Sequence, residues 1–474
     1  MNSLNSQISK DQNGLVPILK PYQRDGIRHL LSMNDGCLFQ CPGLGKTLQV
    51  LLAYELLRRK NPKLKMLIVA PLRVAQTVWR QEAQKWEPTS GLTVHLIHGR
   101  NKGVNLKRKA DIHVINYEGL EWLERMMKGR DWPWDIVVWD ELTKCKSVGT
   151  KRAFWIKRNY RKFGRHWGLT GTPMSTKGYQ DLFGQIRTID GGKALGTQKA
   201  VYDQLFFYQA SMFDRHLTIK PGADKIITDR ISPIVHRLRA EDHLKMPDKV
   251  VIHHDIKMTD QHYQRYSLLE DQMAIDVGDH EITAVSAGVL WNKLLQVLQG
   301  FSFTDEKDVF WHNEDKIDVL EGIIEEAAGS PVLVFHHFRP EGDRLLKRFP
   351  QAELLKREGA EDQVKRWNNN EIEMLCCSPL SAGHGLNLQL GGAHQMVWLC
   401  QNGSPEIYQQ AVGRLYRQGQ QHESVIIHHL NMLHPNGSTV DDDILRMLKD
   451  RTTVQDAMLK RLSALQQKRK ACAS

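Results

Sequence analysis

Phe39-Gln40-Cys41-Pro42-Gly43-Leu44-Gly45-Lys46-Thr47 is the stretch whose reading decides the fold. A short apolar run, Cys37-Leu38-Phe39, precedes the glycine turn and reads as a strand. After it, Leu48, Val50, Leu51, Ala53, Tyr54, Leu56 and Leu57 recur with a helical spacing. Strand, glycine turn and helix opening together make a phosphate cradle. The glycines let backbone N–H groups approach an anion, and the helix N-terminus adds a favourable dipole. Lys46 is placed to reach the β- and γ-phosphates, and the Thr47 hydroxyl to ligate Mg²⁺. The turn alone does not decide, because roughly 2% of chains this long would carry Gly-x-Gly-Lys-Ser/Thr by chance. Gln40 also stands where the longer phosphate-loop pattern has its first glycine. Context has to settle it.

The chain has 474 residues, enough for two or three domains that each bury a core. A hydrophobic fraction of 41% with 25% charged residues is that of a soluble protein. A net charge of +11 points to a polyanionic partner, most often nucleic acid. Seven scattered cysteines without a Cys-x-x-Cys pair suit a reducing compartment and argue against a disulfide framework. The histidine pairs 253–254, 336–337 and 428–429 lie in strand-like runs. Neighbours on a strand face opposite ways, so these pairs are poor metal ligands. No signal peptide and no run of about 18 apolar residues is found, so a soluble intracellular protein without a membrane partner is expected.

Outward from the loop, apolar runs alternate with helical patterns. Leu19 to Gly26 leads into a helix through Ile27, Leu30 and Leu31. Met66–Ala70, Leu92–Ile97 and Ile112–Ile115 read as strands, and Val74, Val78 and Trp79 mark a helix after Pro71. This alternation predicts an α/β fold with a doubly wound parallel sheet. Asp135-Ile136-Val137-Val138-Trp139-Asp140-Glu141 runs an apolar strand straight into two carboxylates. Ligands in such sheets bind beyond the carboxyl ends of the strands. Asp140 can therefore hold Mg²⁺ opposite the phosphate loop, while Glu141 polarises the attacking water. Trp167 to Pro173 ends another strand in small hydroxyl residues and glycine.

The middle of the chain says least. Tyr202, Phe206, Phe207, Tyr208, Phe213, Arg215, His216, Lys220 and Lys225 fit either a nucleic-acid surface or an ordinary packed insertion. Leu290, Leu294, Leu295 and Leu298 are helix-spaced core residues. The alternation then resumes with a helix over 315–328, strands at 331–335, 374–377 and 425–430, and helices near 341–348 and 360–368. Adjacent Cys376 and Cys377 read as core. Arg414 and Arg417 are three apart and are expected to share one helix face, where planar guanidinium groups suit phosphate oxygens. The basic end, with Lys460, Arg461, Lys468, Arg469 and Lys470, is either a phosphate-tracking segment or a solvated helix and tail.

Taken together these segments resemble the helicase-like ATPases of superfamily 2, particularly the Swi/Snf-type branch. Leu19-Lys20-Pro21-Tyr22-Gln23 is similar to that branch's adenine-side segment, and Gly43 to Gln49 to its phosphate loop, which likewise lacks the first glycine. Ala70-Pro71 with Trp79, Glu82 and Trp86, then Asn116-Tyr117-Glu118, then Leu169-Thr170-Gly171-Thr172-Pro173, resemble further motifs. Ser381-Ala382-Gly383-His384-Gly385-Leu386-Asn387-Leu388 resembles the fifth, with Ala382 in place of one glycine. Gln409 to Gln420 matches the Gln-Ala-x-x-Arg-x-x-Arg-x-Gly-Gln spacing of the sixth. One motif departs: Asp140-Glu141-Leu142-Thr143 stands where the branch commonly has Asp-Glu-x-His.

The resemblance implies two RecA-like lobes with a helical insertion between them. The expected domains are a flexible N-terminus over 1–16, a first lobe over 17–190, an insertion and linker over 191–305, and a second lobe over 306–474. It implies ATP held by Gln23, Gly43, Leu44, Gly45, Lys46, Thr47, Gly385, Arg414 and Arg417. Mg²⁺ falls to Thr47 and Asp140, and catalysis to Lys46, Asp140, Glu141, Arg414 and Arg417. Pro71, Arg73, Thr170, Gly171, Thr172, Ser381, Gly383 and Asn387 would serve nucleic-acid contact and coupling. The expected activity is ATP hydrolysis to ADP and phosphate coupled to movement on DNA, duplex or branched, with RNA as the weaker partner. Its alternatives are a strand-separating or branch-migrating helicase, and a nucleotide-dependent scaffold with little turnover. Compact members occur in bacteriophages and bacteria, which implies the cytoplasm or nucleoid, and a setting in replication, recombination or repair.

Overall fold

The structure, a computed structural model, describes residues 19–174, 177–209, 217–238, 246–277, 284–304, 306–356, 360–382, 386–401, 403–435, 437–450 and 461. The N-terminus expected to be flexible, 1–16, lies outside them. The chain divides into two compact units, Met1–Leu244 and Lys245–Ser474.

In chain order the strands of the first unit are β1 (Asp35–Gln40), β2 (Met66–Ala70), β3 (Val94–Ile97), β4 (Ile112–Asn116), β5 (Ile136–Asp140), β6 (Arg165–Thr170), β7 (Phe207–Gln209), β8 (Leu217–Ile219) and β9 (Val235–Leu238). Seven of them form one sheet in the order β3-β4-β2-β5-β6-β1-β9, and every pairing in it is parallel. β7 and β8 form a separate antiparallel hairpin. The central strands are apolar on both faces because both are covered. Their two-residue period sends Cys37, Phe39, Leu67, Val69, Val137 and Trp139 to one core. Leu38, Ile68, Ala70, Ile136 and Val138 go to the other. The helices Pro21–Ser32, Lys46–Lys60 and Leu72–Lys85 cover this second face. The helices Leu120–Met126, Lys151–Asn159 and Gln180–Asp190 cover the first. Burying each large apolar side chain contributes about 1.5–3 kcal/mol, so the two-sided cover fixes the register of every central strand.

The second unit repeats the plan. Its strands are β10 (Asp248–Lys257), β11 (Phe301–Phe303), β12 (Val309–Trp311), β13 (Val332–Phe335), β14 (Ala352–Leu354), β15 (Met374–Cys377), β16 (Gln395–Trp398) and β17 (Ser424–Leu433). Six form an all-parallel sheet in the order β10-β17-β16-β13-β15-β14. Leu333, Phe335, Leu375, Cys377, Met396 and Trp398 again separate by period two from Val332, Val334, Met374, Cys376 and Val397. Cys376 and Cys377 are thus core residues on opposite faces.

The segment 191–305, expected as an insertion between lobes, is shared by the two sheets. β9 closes the edge of the first beside β1, and β10 forms the edge of the second beside β17. Apolar periodicity in β9 is too short to announce a strand, so only its pairing with β1 reveals it. The helix Ala284–Leu298 packs Leu290, Leu294, Leu295 and Leu298 into a core of the second unit with Tyr266, Met432 and Ile444. Tyr202, Phe206 and Phe207, read as either surface or packing, are buried core. Phe213, Arg215 and His216 lie outside the described residues. Arg461 is held by Glu270 at 2.5 Å and Asp443 at 2.6 Å, so its charge is taken up inside the unit. Among the described residues no helix is long and apolar enough to cross a membrane.

Histidines of the 253–254 and 428–429 pairs hydrogen-bond to neighbouring side chains. His254 Nε2 and His428 Nδ1 are 2.9 Å apart, His428 Nε2 lies 3.1 Å from Gln395 Oε1, and the Tyr408 hydroxyl lies 3.0 Å from His429 Nε2. Burial, with the neighbouring histidines adding to it, pulls His428 down to about 4 and His429 to about 3, and lowers His254. These rings are neutral when folded but take up protons near the ordinary histidine value when unfolded. Their contribution is therefore present above pH 6.5 and lost as pH falls towards 4. Melting temperature should fall as pH drops below 6.5, and replacing His428 and His429 by glutamine should flatten that limb. An unchanged limb would count against this account.

Candidate active site

The phosphate loop is built as its residue types require. β1 ends at Gln40, and the helix Lys46–Lys60 opens after a turn in which Gly43 has φ 91° and Gly45 φ 76°. Only glycine adopts this left-handed backbone readily. A side chain at 45 would also meet Gln23, whose Nε2 lies 2.6 Å from where its Cβ would be. Gln23 is clamped over the loop: its Nε2 donates to the Leu44 carbonyl at 3.3 Å and its Oε1 accepts from the Lys20 N–H at 3.0 Å. The Lys46 ammonium donates to the carbonyls of Gln40, at 2.7 Å, and Cys41, at 3.3 Å. Thr47 follows it in the first turn of the helix.

Gln40, at the position of the absent first glycine, is a fully buried strand residue. Its amide exchanges two hydrogen bonds with that of buried Gln49, at 3.0 and 2.8 Å. Gln49 Nε2 also donates to the Leu44 carbonyl at 3.0 Å, and Gln40 Nε2 lies 3.1 Å from His236 Nδ1 on β9. The pair ties strand, loop and helix together from beneath. Gly26 gives it room, since a Cβ there would fall 1.9 Å from Gln49 Oε1.

The two carboxylates sit at the end of β5. Asp140 Oδ2 accepts from Trp79 Nε1 at 2.9 Å, and Oδ1 from the Glu141 N–H at 3.0 Å. Burial raises the Asp140 pKa, opposed by the Trp79 hydrogen bond and by the charge of Lys46. The Tyr117 hydroxyl donates to the Asp140 carbonyl at 2.8 Å. Glu141 is a non-glycine residue at φ 56°, ψ 62°. Such a backbone costs on the order of 1–3 kcal/mol and persists where its surroundings enforce it. The Thr143 hydroxyl donates to Glu141 Oε1 at 2.8 Å. Thr143, where a histidine is common, therefore does make a polar contact with the neighbouring carboxylate.

β6 lies between β1 and β5, so Thr170-Gly171-Thr172 leaves the sheet between the other two loops. Thr170 Oγ1 accepts from the Thr172 N–H at 3.1 Å. A Cβ on Gly171 would lie 2.9 Å from Pro42 Cδ, so this turn touches the phosphate loop directly. Pro71 and Arg73 open the helix after β2. Lys46, Thr47, Asp140, Glu141, Thr170, Gly171, Pro71 and Arg73 thus all lie at the carboxyl ends of parallel strands of one sheet.

In the second unit the arginines are not on a helix. The helix Pro405–Val412 ends before them, capped at Gly413. Arg414 stops it from continuing: its Nε donates to the Gln410 carbonyl at 3.1 Å, and its Nη1 reaches the Leu386 carbonyl at 3.0 Å. Arg417 Nη1 donates to Asn387 Oδ1 at 2.7 Å. The two therefore share a turn that binds the Leu386-Asn387 segment, not a helix face. Ser381 lies in the short helix Pro379–Ala382, with its hydroxyl 2.8 Å from that of Ser378. Gly383 and Gly385 lie outside the described residues.

Sequence reasoning missed Gln40, Gln49 and Tyr117 as site residues, and used Trp79 only as a motif match. The signal available was chemical: glutamines beside a buried strand and a tryptophan on an apolar helix face each need a polar partner.

Residues 22–299 match the SNF2-related domain. The chain belongs to this family and is an ATP hydrolase of it. It is 31% identical to the protein p41 of Acyrthosiphon pisum secondary endosymbiont phage 1, covering 93% of this chain and 97% of that one. It is 23% identical to the ISWI chromatin-remodeling complex ATPase ISW2 of Saccharomyces cerevisiae, over 85% of this chain but only 38% of that protein. A Sulfolobus solfataricus SWI2/SNF2 ATPase core solved with dsDNA aligns over 94% of this chain and 93% of that chain, at 22% identity and a TM-score of 0.43.

Gln49→Leu should destabilise the protein by about 1–3 kcal/mol, since it strands a buried Gln40 amide. Gln40→Leu with Gln49→Leu should recover part of that loss in a chemical melt. Equal loss in both would count against the paired-amide account.

Proposed function

We propose that this chain is an ATP-driven motor that moves on duplex DNA, with the roles of its site residues as follows. Gln23 takes the adenine side, and the N–H groups of 43–47 with Lys46 cradle the phosphates. Thr47 and Asp140 suit a hard divalent cation, because both offer oxygen and Asp140 is a half-buried carboxylate whose charged form a cation would favour. Mg²⁺ held there would neutralise charge on the phosphates. Glu141 orients and polarises the attacking water, and Thr143 holds the carboxylate that does so. Arg414 and Arg417 stabilise charge developing at the γ-phosphate. Because both arginines also grip Leu386 and Asn387, their engagement would pull on the segment proposed to hold nucleic acid. That linkage offers a route from hydrolysis to movement.

The observation that carries the reading is the placement of Lys46-Thr47, Thr170-Gly171 and Asp140-Glu141 at the ends of three adjacent parallel strands. A scaffold with little turnover has no need of a glutamate held strained beside the acidic cation ligand. The +11 charge supports a nucleic-acid partner, and the choice of duplex translocation over strand separation rests on family membership and on the form of the Gln409 to Gln420 motif.

ATPase rate should rise with duplex DNA more than with single-stranded DNA or RNA, with displacement of a triplex strand and little unwinding of a fork. Stimulation by RNA alone would sink the DNA assignment. Lys46→Ala and Glu141→Gln should each abolish turnover, and wild-type rates in both would overturn the site. Arg417→Ala should lose hydrolysis far more than ATP binding. Thr143→Val should lower kcat about five-fold at unchanged KM, the worth of one hydrogen bond of about 1 kcal/mol. A changed KM with constant kcat would remove Thr143 from its positioning role.

A further inference from the structure

A cleft of about 660 Å³ opens in the first unit, away from the phosphate loop. Its walls are the helix Lys151–Asn159, the turn Tyr160–Lys162, the later half of the helix Gln180–Asp190, and residues 197–198. Both helices pack on the sheet face opposite the one covered by the helix Lys46–Lys60. None of the residues assigned to ATP lines it.

Its lining carries Lys157, Arg158, Arg161 and Arg187, and no carboxylate. Arg158 is paired with Glu124 at 2.8 Å. Among the described residues, no carboxylate is paired with Lys157, Arg161 or Arg187. Lys157 and Arg161 are four apart across the end of a helix, which puts them on one side. Like charges gathered in one concavity repel each other, and an anion there offsets that cost. Thr197, Gln198 and the left-handed Gly191 add polar groups to the same wall. The cations also continue beyond the cleft, with exposed Lys151 and Lys162 on the same helix and turn. A single bound phosphate would need only the centre of this array, whereas a repeating phosphate chain uses its length. Guanidinium groups match phosphate oxygens two at a time.

We infer that this cleft is a second groove for a nucleic-acid backbone, separate from the track that the motor's coupling residues would grip. It rests on the reading that the chain works on DNA. It binds phosphates without reading bases, since its donors are cations and hydroxyls on a surface rather than a reading element inserted in a groove. Its effect would be to hold a duplex, or a neighbouring arm of a branched one, while the ATP site turns over.

The test measures duplex affinity of the full chain against salt concentration. Each phosphate contact contributes roughly 0.9 to the slope of log K on log salt. Lys157→Ala with Arg161→Ala and Arg187→Ala should make the slope shallower by about two to three units and weaken binding at low salt. ATPase rate at saturating DNA should stay unchanged, which also shows that the variant folds. Arg161→Lys with Arg187→Lys should keep the wild-type slope. An unchanged slope in the alanine variant overturns the inference. If instead tripolyphosphate competes with DNA for neither protein, yet binds wild type and not the variant, the cleft takes free phosphates and the backbone assignment is wrong. Absence of salt-dependent duplex binding by the wild type would fail the DNA reading itself, and this inference with it.

Discussion

The parallel pairing of β1 with β6 and of β6 with β5 is the constraint on which the candidate site depends. Parallel strands all end at the same edge of the sheet, so three loops distant in sequence leave it side by side. Lys46, Gly171 and Asp140 are neighbours for that reason alone. The pairing in turn depends on two cores. Leu38 and Ile136 face one way, and Phe39 and Val137 the other, so a one-residue slip of either strand would turn its buried side chains to the wrong face.

Around that edge the structure uses buried polar groups to hold the loops still. Gln40 and Gln49 pair beneath the phosphate loop, Gln23 closes over it, Trp79 holds the Asp140 carboxylate, and Tyr117 holds its carbonyl. Each of these groups would cost energy if left unmade, so each fixes one geometry. The strained backbone of Glu141 is tolerated inside this frame. The second unit does the same with fewer parts: Arg414 and Arg417 bind the Leu386-Asn387 segment through a carbonyl and a side-chain amide. These bonds hold the turn that carries both arginines against the Leu386-Asn387 segment.

The family assignment and the basic cleft bear on different scales. Membership in the SNF2-related family follows from long-range similarity over most of the chain. The cleft between the helices Lys151–Asn159 and Gln180–Asp190 follows from local geometry and has no motif. Its cations are scattered from 157 to 187, a spacing that reads in the sequence as ordinary solvated charge.

The sequence by itself determined the α/β alternation, the phosphate loop, the acidic strand end and the arginine-bearing motif. Each is a local pattern whose physics acts within a few residues: glycine freedom, strand periodicity, or a carboxylate after an apolar run. Only the tertiary structure decided what required distant parts to meet. It placed β9 and β10 in two different sheets, because strand pairing is non-local and short strands carry little periodicity of their own. It moved Arg414 and Arg417 from a helix face to a turn, because hydrogen bonds to Gln410, Leu386 and Asn387 outweigh helical continuation past Gly413. It also gave Gln40 its meaning: what the sequence shows as a missing glycine is half of a buried amide pair whose other half lies on the next helix.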